Sequence, residues 1–188
     1  ASGRLDARRP DDAWVQEIDN DFGYAVEHGG ALAAAGDGFF FDGALDEAVE
    51  AGEVDLTDYR LVDFAAGKDS VEHEAISASM RPLLETFLAA GGRLVVSGEE
   101  IGYDLVEKGS AEEGTFFAGA LQASYLADDA ETYTLVAVPG GPFDGLTGLA
   151  FDDGTHGVYE VRYPDVLGGL TGQSRVALTY PDGRGAAV

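Results

Sequence analysis

Apolar and polar residues along this chain fall into blocks of two periods, and the blocks predict its elements. "YRLVDFAAG" (59–67) and "RLVVSG" (93–98) are short apolar runs bounded by small residues, as strands buried on both faces should be. Between them Ile76, Met80, Leu83, Leu84, Phe87 and Leu88 recur at intervals of three and four, the apolar stripe of a helix that Gly91 and Gly92 stop. Asp69 and Glu72 have capping-box spacing ahead of that stripe. Pro82 lacks the donor a helix interior needs, so the pattern predicts a kink, or a loose first turn followed by a helix over about 81–90.

The flanking segments are read the same way. Helices are expected over about 24–35, where alanines precede a Gly-Asp-Gly stop, over 44–54, and over "EEGTFFAGALQASY" (112–125). Strands are expected at "FFFD" (39–42), "TYTLVAV" (132–138) and "GVYEV" (157–161). A terminal hairpin is expected to join 174–180 to 183–188 around Pro181-Asp182-Gly183. Residues 1–22 read as irregular and 139–174 as a loop-rich insertion. Strands alternating with crossover-length helices predict a three-layer, mostly parallel, flavodoxin-like α/β sheet covered on both faces, with "RLVVSG" as a central strand. A chain of 188 residues, 45% hydrophobic, can bury one sizeable core, so a single domain over 1–188 is expected.

Charge changes the picture more than any other compositional feature. There are 35 acidic residues against 11 basic ones, for a net charge of −24. Such a surface repels a phosphate backbone and an anionic bilayer, which argues against nucleic-acid and membrane-surface binding. The carboxylates are spread over the whole length, which points to adaptation to high salt or to an extracellular setting. No run of about 18 apolar residues offers a membrane span. The chain starts without methionine and stops in "GRGAAV", so it is expected to be a piece of a longer protein, with a terminal strand missing at one end or both. Cysteine is absent, which excludes disulfides and a thiol nucleophile.

Candidate chemistry concentrates where an open parallel sheet would hold its ligand, beyond the carboxyl ends of the strands. Two loops are expected there side by side, "AAGKDSVEHE" and "GEEIGYD". The second, Gly98-Glu99-Glu100-Ile101-Gly102, has the glycine spacing of a nucleophile elbow, with Glu100 in the exposed middle position. Glu100 is the candidate general base and His73 its candidate partner, with Glu99, Tyr103, Asp104 and Asp69 as candidate ligand-binding residues. The alternative is that Glu100 caps the following helix or accepts backbone N–H bonds. Asp152, Asp153 and His156 are candidate ligands for Ca²⁺ or another divalent cation, though "FDDGTHG" lacks EF-hand spacing. Trp14 and Tyr103 are candidates for stacking on a sugar ring, or for simple anchoring. His28 reads as structural.

The stretch "VDLTDYRLVDFAAGKDSVEHEAISASMRPLLETFLAAGGRLVVSGEEIGYDL", with "FFAGALQASYLADDA" after it, resembles a domain of the class I glutamine amidotransferase-like superfamily found in exported bacterial proteins labelled xanthan lyase-like or hydrolase-like. The likeness spans roughly 24–188 and is densest over 42–126. It implies a cysteine at the elbow, completed by a downstream histidine and a carboxylate. Glu100 stands in the cysteine's place here, and His156 has no established match to that histidine. The resemblance therefore implies a degenerate site on a retained scaffold. The expected function is a non-catalytic accessory or ligand-binding domain of a carbohydrate-associated protein, partnered by the other domains of its parent and without a cofactor. A carboxylate- or metal-dependent hydrolase or lyase built on Glu99 and Glu100, and a purely structural module, are the alternatives.

Overall fold

A computed structural model describes residues 2–3, 23–34, 41–67, 74–155, 160–170 and 172–188. They form two compact units, one from residues 1–68 and 76–98, the other from 69–75 and 99–188.

The first unit is built on a parallel sheet of three strands in the order β1 (Ser2–Gly3), β2 (Leu61–Gly67), β3 (Arg93–Gly98). Leu61 pairs with Arg93 and Ala65 with Ser97. The crossover between β2 and β3 carries α3 (Met80–Ala89), where Met80, Leu84 and Phe87 are buried at the expected spacing. Pro82 sits in its first turn, where a missing N–H costs nothing, so the loose-start reading holds. The buried Arg81 guanidinium donates to the Ile76 carbonyl at 3.0 Å. Two further helices, α1 (Gly23–Ala34) and α2 (Asp46–Glu50), precede β2. Residues 41–42 are not strand, and the rest of "FFFD" lies outside the described residues, as does the Asp69–Glu72 box.

The second unit starts with a π-helical turn, Tyr103–Lys108, and α4 (Ala111–Gly119). Ser110 and Glu113 close a reciprocal capping box on α4. Helix was expected to run to 125, but it ends at Gly119 and Ala123–Ala127 is a strand, β4. The remaining strands are β5 (Thr134–Ala137), β6 (Leu149–Ala150), β7 (Val166–Gly169), β8 (Leu178–Thr179) and β9 (Gly185–Ala187). They form one six-stranded sheet in the order β4-β7-β9-β8-β5-β6, and every pairing in it is antiparallel. Leu135, Val166, Tyr180 and Ala186 pack as its core. The terminal hairpin forms as read, with Gly183 at φ +90° in the turn and the Tyr180 amide donating to the Arg184 carbonyl at 2.8 Å. Only Glu160 and Val161 of "GVYEV" are described, and Glu160 makes an isolated bridge to Asp153.

The expected mostly parallel, three-layer flavodoxin-like sheet is therefore wrong. Among the described residues, parallel pairing is confined to β1, β2 and β3, and the larger sheet is antiparallel. Parallel strands need a crossover of a dozen or more residues, usually helical, and beyond Gly119 no described segment is helical. Of the later strands, β5 and β6, and β8 and β9, are neighbours in both sequence and sheet, and the segments joining each pair are rich in Gly, Pro and Asp, as hairpin connections between antiparallel strands are. β3 is also not central: it lies at an edge of its sheet, with Val95 49% exposed.

Candidate functional site

The elbow has the backbone its glycines foretold. β3 ends at Gly98, two residues bend, and helix resumes at Ile101. Glu100 has φ +52°, the left-handed region that a residue with a Cβ rarely enters. Non-glycine residues held there concentrate at sites where the surrounding structure over-determines the backbone.

Carboxylates bond the backbone around this turn, and one of them is a residue that the sequence did not single out. Asp165, just ahead of β7, accepts from the Gly102 amide at 2.7 Å and the Tyr103 amide at 3.3 Å through Oδ2. These amides open the helical turn and have no partner within it, so a remote aspartate does the work of an N-cap. Gly102 permits the approach, because a Cβ there would lie 3.0 Å from Asp165 Oδ2 and 2.9 Å from the Tyr125 ring. Glu99, 3% exposed, accepts from the Arg162 amide at 2.7 Å. Asp104, also buried, accepts from the Ala75 amide at 2.8 Å. That last bond ties Asp104 to the residue that follows "AAGKDSVEHE", a loop most of which lies outside the described residues.

Asp165 is electrostatically unusual. Burial raises its carboxyl to about 7, with the charges of Glu100 and Asp128 adding to the rise and the two amide bonds opposing it. Its second oxygen, Oδ1, is sealed from solvent and has no hydrogen-bond partner among the described residues. The Tyr180 hydroxyl donates to the Asp165 carbonyl at 2.7 Å and fixes its backbone. Tyr125 is pushed up to about 12, first by burial and then by the charges of Asp128, Asp165 and Glu107. Its ring meets Tyr103 edge-on at 6.4 Å, and Lys108 lies 5.5 Å over the Tyr103 ring. Tyr103 is thus anchored among neighbours of its own unit.

The other expected site residues divide into two groups. Asp69, His73, His156 and Trp14 lie outside the described residues. Asp152 and Asp153 are described, and each folds its own loop: Asp152 accepts from the Gly154 amide at 2.8 Å and Asp153 from the Thr155 amide at 3.0 Å. Among the described residues, no group of three or more His, Asp or Glu side chains is placed to hold a metal ion. His28 pairs with Asp63 at 2.5 Å in the first unit. No helix among the described residues is long and apolar enough to cross a membrane.

Asp165 left little trace in the sequence. "RYPDVL" reads as an aspartate after proline in a turn, and nothing local reports that its partners lie more than sixty residues earlier.

Against protein-family models, curated proteins and solved structures, the chain finds no match.

Proposed function

We propose that this chain is a non-catalytic accessory or ligand-binding part of a longer, exported, carbohydrate-associated bacterial protein adapted to high salt. The observation that carries the reading is the use of the elbow carboxylates. Glu99, Asp104 and Asp165 each accept from backbone amides and hold the turn in shape. A carboxylate that accepts such bonds stabilises the fold without needing a substrate. Glutamate at the elbow and the absence of cysteine support the loss of thiol chemistry that the amidotransferase-like resemblance otherwise implies. The reading assigns no cofactor, and its partners are the neighbouring domains and a carbohydrate. The charge of −24 supports the salt-adapted, exported setting.

One observation favours a second reading, carboxylate acid/base chemistry. Asp165, held near 7, feels the charge of Glu100, and a carboxyl raised in this way can serve as a general acid. Glu100→Gln in the full-length parent separates the two. Carbohydrate-processing activity within about twofold of wild type supports the non-catalytic reading. A loss of about a hundredfold or more, with the fold intact by circular dichroism, establishes the second in its place.

A further inference from the structure

The first unit contains a cavity that the elbow does not touch. Its volume is about 520 Å³, within the range of small-molecule sites. The wall is mainly apolar and includes Leu32, Val54, Leu56, Leu61 and Met80. Phe41 lies on the lining with 46% of its surface exposed, its ring seated over Gly29 where a Cβ would come within 2.3 Å. Exposed Asp42 and Asp58 flank the same opening, and the Tyr59 hydroxyl donates to Asp42 at 3.2 Å. The lining carries three carboxylates, of Asp42, Asp58 and Asp63, against the single guanidinium of Arg60. His28 pairs with Oδ2 of Asp63, and Asp42 and Asp58 together outweigh Arg60, so the sign at the opening is negative. The Tyr59 phenol registers that sign: it is held above its ordinary range, first by the bond to Asp42, with slight desolvation and then the charges of Asp42 and Asp58 adding.

We propose that this cavity binds an organic cation, an ammonium group on an apolar tail, with the tail against the aliphatic wall and the ammonium among Phe41, Tyr59, Asp42 and Asp58. An aromatic face attracts a cation through its quadrupole, and adjacent carboxylates add direct charge. An anion would meet two carboxylates at the opening. A neutral apolar molecule would gain only the wall. The inference is independent of the elbow and of any loss of catalysis there.

Met80 makes the test direct, because it is the only methionine in the chain and it lines the cavity. A ¹³C-methyl methionine label therefore yields one resonance reporting from the wall. The label is followed while hexyltrimethylammonium, hexan-1-ol, hexanesulfonate or tetramethylammonium is titrated in at about 0.5 M NaCl, which screens the diffuse surface charge. The expected result is a saturable shift with hexyltrimethylammonium, at least about tenfold tighter than with the alcohol, and none with the sulfonate or the tail-less cation. The double variant Asp42→Asn, Asp58→Asn changes only exposed residues and should keep the fold. It should lower the preference for the cation to what the aromatic faces alone supply, while leaving alcohol binding as it was. No saturable shift with any probe, equal affinity for cation and alcohol, or a cation preference undiminished in the double variant would each overturn the proposal.

Discussion

Asp165→Asn tests the electrostatic account of the elbow most sharply. The asparagine keeps an oxygen to accept from the Gly102 and Tyr103 amides and removes the titration. In the unfolded chain the Asp165 carboxyl titrates near its ordinary value of 3.8, and in the folded protein near 7. Between those values the folded state holds a proton that the unfolded state has released. Raising the pH therefore draws the equilibrium toward unfolding. The stabilisation is complete below the unfolded value and is lost as pH climbs through the folded one. Burial is the first cause, so the effect is the cost of placing a charge where Oδ1 finds no donor among the described residues. A displacement of this size corresponds to about 4 kcal/mol, which solvent at the partly exposed residue reduces to about 2–4 kcal/mol.

The assay is urea unfolding of wild type and variant from about pH 4.5 to about pH 8 in about 2 M NaCl, which screens the general carboxylate repulsion. The asparagine amide nitrogen replaces Oδ1, which has no partner among the described residues, and leaving it unpaired costs about 1–3 kcal/mol that does not change with pH. The wild-type advantage should therefore fall by about 2–4 kcal/mol across the range, whatever its starting value. Two stability curves that stay parallel from acid to alkaline pH would refute the reasoning.

Other positions give independent checks. Glu100→Gly should leave stability equal or raise it by up to about 1 kcal/mol, because glycine enters the left-handed region freely, whereas Glu100→Val should lower it by about 1–2 kcal/mol. Urea midpoints that rank the two the other way would contradict the strained elbow. Gly102→Ala should cost about 1–3 kcal/mol, since the new Cβ meets Tyr125 and Asp165 at 3.0 Å or less, and an unchanged midpoint would show that the approach is not needed. The melting temperature should rise from low to molar NaCl as the net charge of −24 is screened, and a flat profile would remove the salt-adaptation argument.

Much of the local structure was legible in the sequence. The apolar stripe of α3 placed Met80, Leu84 and Phe87 inward, because helical period and burial are read from the same residues. Paired glycines and a middle residue after an apolar strand foretold a strand-to-helix turn, and Glu100 bears the left-handed φ of such a turn. The terminal hairpin followed from Pro181-Asp182-Gly183 and the φ that glycine alone adopts easily. Where reading failed, the local signal was ambiguous. "ALQASYLADDA" has helix-forming composition, yet Ala123–Ala127 pairs with β7, because a partner strand forty residues on outweighs intrinsic preference. The same limit produced the parallel-sheet error: the first strand-helix-strand unit is parallel, and its pattern was extended over residues that pair the other way.

The sequence by itself determined the net charge, the absence of a thiol, the helix between β2 and β3, and a sharp turn at Glu100, all of which depend on composition or on neighbours within a few residues. Only the tertiary structure decided what the turn's carboxylates do. It brought Asp165 to the amides of Gly102 and Tyr103, Ala75 to Asp104, and Arg162 to Glu99. It also set the partners of the later strands and the carboxylates around Phe41 and Tyr59. The reason is physical: a carboxylate's protonation and its role follow from the donors, charges and solvent within a few ångströms, and here those come from segments that the sequence holds far apart.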